Sequence, residues 1–481
     1  MPPESPADAP YAERDAANAR AVAAWRLRWG HRALWSLPLN AGLILVAAVL
    51  LLRGEAEDPR ANYVKSLAAL LALAPPPVKK EENAFEDYKL AQLAYVGFTG
   101  ASDDNPFWKT NDDSKYFDDA ATLALWSANA TAIGHLQAGA QKERCDWGID
   151  YSVIPWACPS LLTWREHANL LALDARCRAR KGDHQGAAKS LVAIHQLARH
   201  LDGPPAHLIS AMVALAMDAI ACEALEAVLV WDTPSKADDL SAYRKAFARP
   251  EDPYRRYARS FETEKTSTLC LMDGITSGEL ARGTAGLLKA PGVFSLLTYG
   301  SDRKCYEAVS NAEIEALRNG KQPEDARTLI DRFQTGPAPL TNLCIPSLSR
   351  SLLAEIEIYE HGLLVDTALV LLQFRTKYGR DPATLAELVP EFLPAIPIGP
   401  VNNEPLRLRY EIAGCRETGR WFLEPYLDGK PTVRIYTVGP NGRDDGGLYD
   451  GSSNYDRMYK GKDDTIVILP ALPTSNAKEQ K

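Results

Sequence analysis

The stretch LTWREHANLLALDARCRARKGDHQGAAKSLVAIHQLARHL, Leu162 to Leu201, decides the fold class of this chain. Its apolar residues recur at helical spacing on both sides of Lys181-Gly182-Asp183, which predicts two amphipathic helices joined by a tight turn. Gly182 is expected to end the first helix, because glycine adopts the left-handed conformation without strain. Asp183 is expected to cap the start of the second helix. The stretch therefore predicts a helical hairpin.

This hairpin, residues 161–201, resembles one tetratricopeptide unit. The residues at the family's large, small and turn positions are Leu171, Ala175, Gly182, Ala187 and Leu191. The family's aromatic positions are missing, and no second copy follows at a period of about 34 residues. A generic helical bundle is the alternative. Either scaffold is expected to serve as a structural or interaction surface.

Length and charge limit the possible functions. A chain of 481 residues is too long for one ordinary core, so two or three domains are expected. The net charge of -8, without a basic cluster, argues against nucleic acid as a partner, since such proteins neutralise phosphates with a basic face. No nucleic-acid binding is predicted.

The N-terminal region contains the run ALWSLPLNAGLILVAAVLLL, Ala33 to Leu52, which has no charged residue. As a helix it would cross the roughly 30 Å hydrocarbon core of a bilayer, so residues 33–53 are predicted to be a single transmembrane anchor. A cleaved signal peptide and a buried helix of a soluble protein are the alternatives. Basic residues are more frequent before the run, at Arg20, Arg26, Arg28 and Arg32.

This bias places residues 1–32 in the cytoplasm and the bulk of the chain in the periplasm. The predicted localisation is therefore that of a single-pass inner-membrane protein. A second apolar run, His207 to Trp231, contains Asp218, Glu223 and Glu226 and is predicted to be a packed core helix.

The predicted fold is mainly α with a C-terminal α+β domain. A helical domain is expected over residues 58–250 and an irregular or helical connection over 251–349. Within that connection the charged segment RPEDPYRRYARSFETEK, Arg249 to Lys265, is expected to be a solvated helix after Pro253. A long helix followed by a small antiparallel sheet is predicted for 350–470, and a disordered tail for 471–481. The predicted strands are residues 406–412, 419–427, 432–439 and 465–470.

The C-terminal region carries a second resemblance. Its long helix ends in YGRDPATLAELVP, Tyr378 to Pro390, where Asp381 is expected to cap a short helix. A proline-rich passage, the loop YTVGPNGRDDGG (Tyr436 to Gly447) and the run KDDTIVIL (Lys462 to Leu469) follow. This order resembles the globular domain of the type II secretion major pseudopilins, members of the type IV pilin-like superfamily. The chain lacks a prepilin cleavage motif, so a filament subunit is not expected.

The pseudopilin resemblance implies a calcium site in the last loop, built from backbone carbonyls, a loop aspartate and a late aspartate. Calcium prefers about six to eight oxygen ligands, and acidic residues on neighbouring strands can supply them. A plain Asp-Gly turn is the alternative. The candidate metal ligands are Val438, Asn441, Asp444, Asp445, Asp463 and Asp464.

The eight cysteines lack CxxC spacing, so no zinc site is predicted. Cys145 and Cys158 bracket a short segment and form the disulfide pair to test first, if the domain is exported. Cys177 and Cys222 lie inside helical patterns and are expected to be buried thiols.

No catalytic motif stands out, since HExxH, GxSxG and Walker A patterns are absent from the sequence. The leading interpretation is a membrane-anchored bacterial envelope protein with a structural or protein-binding role. The expected partners are the membrane and other envelope proteins. The alternative is an envelope hydrolase with its site in residues 84–350. A pocket that gathers Asp or Glu with His or Ser would favour the enzyme, and a helical groove would favour the binder.

Overall fold

The computed structural model describes most of the chain between residues 57 and 472. The described ranges are 57–97, 119–151, 161–203, 205–247, 252–280, 293–335, 338, 341–342, 348–400, 404–411, 431–439, 442–447 and 465–472. The predicted cytoplasmic segment 1–32, the anchor 33–53 and the strand 419–427 lie outside these ranges, as does the tail from residue 473.

Twelve α-helices and two small sheets are present among the described residues. The helices are α1 Pro59–Leu71, α2 Ala84–Ala94, α3 Ala120–Ala128, α4 Ala130–Gly139, α5 Leu161–Arg180, α6 His184–Leu201, α7 Leu208–Trp231, α8 Ala237–Phe247, α9 Pro253–Ser277, α10 Val293–Arg318, α11 Ala326–Phe333 and α12 Leu348–Tyr378. The strands are β1 Ile398–Gly399, β2 Glu404–Pro405, β3 Arg407–Glu411, β4 Thr432–Thr437 and β5 Thr465–Pro470. The predicted class, mainly α with a small C-terminal antiparallel sheet, is confirmed.

The hairpin predicted from the sequence is formed by α5 and α6. Gly182 has a φ of 78°, the left-handed conformation that ends a helix at low cost for glycine. Asp183 is the N-cap of α6, and its carboxylate accepts a hydrogen bond of 2.9 Å from the backbone N–H of Gly186. Both cap predictions are confirmed.

Helices α3 to α8 pack in two layers. In one layer α3 contacts α5, and α5 contacts α7. In the other layer α4 contacts α6, and α6 contacts α8. The layers are joined where α5 packs on α6 and α6 packs on α7. Helix α12 closes this arrangement, since it contacts both α7 and α8.

Helix α7 is the described helix that is long and apolar enough to cross a membrane. It is nevertheless packed against α5, α6, α9, α12 and β5. Its acidic side chains are paired with groups on other helices: Glu226 lies 3.2 Å from His361 Nε2, and Asp218 accepts from His195. This packing is that of the core helix predicted for the run.

The C-terminal sheet has the order β3-β4-β5 with both pairs antiparallel. All six residues of β4 are buried, because α12 packs on β4 and β5. One hydrophobic cluster includes Leu171 of α5, Leu369 of α12 and Val433 of β4, so the core is continuous across residue 350. Strands β1 and β2 form a separate antiparallel pair. In the sequence this pair comes after α12 and before β3.

Asp381 does not cap a helix, contrary to the prediction. The following turn is a short 3₁₀ segment, Leu385–Leu388, whose N-cap is Thr384. Asp381 instead accepts hydrogen bonds from Arg375 Nε at 2.6 Å and from the backbone N–H of Leu472 at 2.8 Å. It therefore connects the end of α12 to the backbone two residues after β5.

Helix α9 is not the solvated helix that its charged sequence predicts. Asp252 caps it and Pro253 occupies its first turn, as expected. However, α9 packs against α1, α7, α10 and α12, and Tyr257 and Phe261 are buried. The sequence-based expectation for this helix is wrong because charges on its face have partners on distant helices.

Arg256 is the centre of those contacts. Its guanidinium donates to Asp202 at 2.6 Å, Asp218 at 2.9 Å and Glu355 at 3.3 Å. Asp218 also accepts from Nδ1 of His195 at 2.6 Å. These five residues, called here the Arg256 cluster, come from α6 and its C-cap, α7, α9 and α12.

The Arg256 cluster is buried, and Arg256 is only 14% exposed. Burial alone would lower the pKa of Arg256, but the carboxylates of Asp218, Glu355 and Asp202 outweigh it and raise that pKa well above its ordinary value. The arginine is therefore charged, and it links four helices at one point.

Glu313 of α10 is a buried acid of a different kind. It is 1% exposed, and its Oε2 has no hydrogen-bond partner in the part of the chain that the structure describes. Burial raises the pKa of Glu313 to about 8, so it is largely protonated at neutral pH.

Two of the described cysteines test the sequence-based expectation of buried thiols. Cys177 and Cys222 are buried thiols, as predicted. Cys145 is a half-buried thiol, and Cys158, its proposed disulfide partner, lies outside the described residues.

Replacing Arg256 by Met should destabilise the fold strongly. The change leaves three buried carboxylates without their cation, and loss of one member of such a group costs about 3–5 kcal/mol. Arg318→Met is the matched control, because Arg318 is 64% exposed in its ion pair with Glu262, and loss of an exposed pair costs less than about 1 kcal/mol. Urea unfolding of both variants measures this difference, and equal losses would contradict the role assigned to Arg256.

Glu313→Gln should flatten the pH dependence of stability. Because the folded pKa of about 8 lies above that of the unfolded chain, the folded state holds the proton longer, and the free energy of unfolding falls as pH rises from 5 to 8. The slope is up to about 1.4 kcal/mol per pH unit, and glutamine removes it.

The variant should therefore match the wild type near pH 5 and exceed it in stability at pH 8. Glu315→Gln, an exposed position on the same helix, is the control and should retain the wild-type slope. Urea unfolding at pH 5, 6.5 and 8 gives the comparison; an unchanged slope in Glu313→Gln would refute this account of the buried acid.

Candidate functional site

The predicted calcium loop follows β4 and is described in part. Val438 is buried just after the strand, and Asp444 and Asp445 lie in the loop that ends at Gly446 and Gly447. Asn441, Asp463 and Asp464 lie outside the described residues. The structure therefore places three of the six candidate ligands and leaves the complete set a prediction.

Asp444 is engaged by donors of the protein. Its Oδ1 accepts from the backbone N–H of Gly446 at 2.9 Å and from the Tyr436 hydroxyl at 3.2 Å. Its Oδ2 forms an ion pair with Arg407 of β3. Arg407 faces Tyr436 in the antiparallel register, which explains how both reach the same carboxylate.

These contacts determine the charge of Asp444. Burial alone would raise its pKa, but the Gly446 N–H, the Arg407 guanidinium and the Tyr436 hydroxyl together lower it. A calcium ion at Asp444 would meet the positive charge of Arg407 and would compete with it for the carboxylate. For Asp444 to bind calcium, the ion would have to displace the Arg407 guanidinium, and the calcium site stays a prediction.

A groove lies on the α4–α6–α8 layer. Its volume is about 1010 Å³, and it is open to solvent. The lining residues are Gln137, Ala138, Gln141, Gln185, Ala188, Lys189, Val192, Lys236, Asp238, Asp239, Ser241, Ala242 and Lys245. We call it the layer groove.

Helical periodicity explains this lining. On α6 the groove residues are Gln185, Ala188, Lys189 and Val192, at i, i+3, i+4 and i+7. On α8 the residues Asp238, Ser241, Ala242 and Lys245 repeat the same spacing. Residues so spaced lie on one face of a helix, and the opposite face of α8 is buried in the core through Leu240, Tyr243, Ala246 and Phe247.

Two hydrogen-bonded contacts hold the walls of the layer groove in place. Gln185 of α6 donates to Asp239 of α8 at 2.8 Å, which bridges the two helices. Gln137 of α4 donates to Ser190 of α6 at 2.9 Å, and Ser190 in turn donates to the buried carboxylate of Asp174. The three helices that form the groove are thus cross-linked by side chains.

A second groove of about 460 Å³ lies between α8 and α12. It shares Ser241 and Lys245 with the layer groove, so the two form a continuous surface. Within it Arg244 donates to Asp366 at 3.0 Å and to Gln373 at 3.3 Å. This pairing fixes α8 on α12.

The layer groove contains aspartates and a serine, but its lining includes no histidine. His184, which precedes Gln185 on α6, contacts the Tyr243 hydroxyl at 3.1 Å, and His195 is buried beside Asp218 and Phe247. Within the described ranges no group of three or more His, Cys, Asp or Glu side chains is placed to hold a metal ion. The groove is equipped to bind through amides and charges.

The sequence predicted α6 and a helical domain over residues 58–250, but it did not predict the groove. The sequence feature that belongs to the groove is a polar face with i, i+3, i+4, i+7 spacing on α6 and again on α8. A polar face of this kind is ordinarily exposed to solvent. Only the contact of these faces with α4 across the layer makes them one site, and that contact is not visible in the sequence.

No family model, curated protein or solved structure matches this chain. The resemblances to the pseudopilins and to a tetratricopeptide unit are therefore sequence-based expectations. The case for function depends on the geometry of the chain itself.

Asp444→Asn should lower the melting temperature equally in EDTA and in millimolar calcium. The reason is that the substitution removes the charge that pairs with Arg407, which costs up to about 1 kcal/mol whether or not calcium is present. Thermal unfolding in both solutions measures this. A wild-type chain stabilised by calcium, with the stabilisation lost in Asp444→Asn, would show that the loop is a calcium site as the resemblance implies.

Proposed function

We propose that this chain is a membrane-anchored protein of the bacterial envelope with a structural or protein-binding role. The uncharged run Ala33 to Leu52 and the arginines before it support an anchor at residues 33–53, with the bulk of the chain in the periplasm. The pseudopilin resemblance of residues 350–470 supports a link to secretion or pilus machinery. The partners are accordingly the membrane and other envelope proteins.

The layer groove is the observation that carries the protein-binding role. It is open along three helices, and its side chains are amides, lysines, aspartates and small residues. Such a surface offers hydrogen bonds and charge along its length, as peptide-binding helical scaffolds do. An enclosed apolar pocket with a few convergent polar groups would be expected for a small molecule.

The layer groove itself does not support the alternative, an envelope hydrolase in residues 84–350. A hydrolytic site needs a nucleophile within hydrogen-bond reach of a base. Ser241, the hydroxyl of the groove lining, accepts from the amide of Gln373 at 3.4 Å. Calcium binding by the loop after β4 is left as a prediction, outside this proposal.

Site-specific photocrosslinking in intact cells tests the proposal. A photoreactive amino acid at Gln141, an exposed groove position, should yield an adduct with a periplasmic or membrane protein. Gln322 is the matched control, since it is an exposed glutamine outside the layer groove, and the same probe there should yield none. Adducts are separated by electrophoresis and identified by mass spectrometry.

Equal adducts at both positions would contradict a binding role for the groove. Adducts with cytoplasmic proteins would contradict the proposed topology. The two parts of the proposal are therefore tested separately in one experiment.

A further inference from the structure

We propose that the layer groove binds an extended, acidic polypeptide segment, in which carboxylates about four residues apart contact Lys236 and Lys245. This inference rests on the proposed protein-binding function and names the chemistry of the partner. It follows from three features of the groove, which are its unpaired lysines, their spacing and its small, amide-lined floor.

Two lysines of the groove, Lys236 and Lys245, have no carboxylate of the described residues within ion-pair distance, and both are exposed. The third, Lys189, lies near Asp183 and helps to lower the pKa of that carboxyl. Lys142, by comparison, lies 2.6 Å from Asp87. In a chain of net charge -8, two lysines without an ion-pair partner on one surface form a local site for an anion.

The spacing of two of these lysines matches an extended chain. Lys236 precedes the first residue of α8 and Lys245 lies in its last turn. At a rise of about 1.5 Å per residue the two stand about 13 Å apart along the helix. An extended polypeptide covers that distance in about four residues, at about 3.3 Å each. Two carboxylates so spaced would meet both lysines at once.

The floor of the groove allows a polypeptide backbone to approach closely. Its lining includes the small side chains of Ala138, Ala188 and Ala242, of which Ala188 is buried, and Val192. Gln141 stands at the edge and is exposed. A glutamine amide offers both donors and an acceptor, so it can pair with the N–H and C=O groups of a bound backbone.

The two aspartates of the groove do not cancel this preference. Asp239 is 7% exposed and accepts a hydrogen bond from Gln185, so its charge is held within the wall. Asp238 is exposed in the first turn of α8, where the helix dipole stabilises it. The lining has three lysines and two aspartates, of which only Asp238 is exposed, so the exposed charge of the groove is mainly positive.

The test uses the full chain in detergent and a fluorescently labelled peptide of twelve residues. The peptide carries Asp at every fourth position, with Ser and Gly between. One control peptide has Asn at the same positions, and a second has the same number of Asp residues in one block. Binding is followed by fluorescence anisotropy at low salt, where exposed charges are least screened.

We expect the spaced peptide to bind at least 10-fold more tightly than either control peptide. The double variant Lys236→Gln/Lys245→Gln should weaken its binding by 10-fold or more. Lys80→Gln/Lys321→Gln is the matched control, because both lysines are exposed and outside the groove, and it should bind as the wild type does. Equal melting temperatures will show that neither double variant unfolds.

Three results would overturn the inference. The first is absence of binding, and the second is equal binding of the spaced and Asn peptides. The third is displacement of the peptide by inorganic phosphate at equal concentration, because that result would indicate a small-anion site. If the peptide fails while photocrosslinks at Gln141 are found, the groove is a protein-binding site of different chemistry. The failure of this inference is thereby distinguished from failure of the proposed function.

Discussion

The pairing of one buried cation with carboxylates from three other elements is the constraint on which the rest of the structure depends. Arg256 on α9 contacts Asp202 after α6, Asp218 on α7 and Glu355 on α12. A buried charge without a partner is costly, so these helices are held in the arrangement that brings the three carboxylates to Arg256. Because α8 lies between α6 and α12, that placement also positions the layer groove.

Much of the fold could be predicted from the sequence, because its signals are local. The α5–α6 hairpin was readable from its periodicity and from the caps Gly182 and Asp183, which act within a few residues. The buried helix α7 was readable because its acidic residues interrupt an apolar run. The small antiparallel sheet was readable from three of its strand patterns, while the fourth, residues 419–427, lies outside the described residues.

The features that could not be predicted all depend on partners distant in the chain. The charges of α9 resemble those of a solvated helix until Asp202 and Glu355 are brought to Arg256. Asp381 has the sequence of an N-cap, but Arg375 and the backbone of Leu472 take its carboxylate. The register of β3 and β4 also places Arg407 beside Asp444, a contact that the sequence does not show. In α9 and at Asp381 these contacts replace the role expected from the sequence, whereas calcium binding at Asp444 stays a prediction.

The central claim is that the face shared by α4, α6 and α8 is a binding surface for an acidic segment. Hydrogen–deuterium exchange of the full chain, with and without the spaced Asp peptide, tests it most directly. The account predicts slower exchange confined to residues 137–141, 185–192 and 236–245. Protection confined to the C-terminal sheet, or no change in these three segments at saturating peptide, would contradict it.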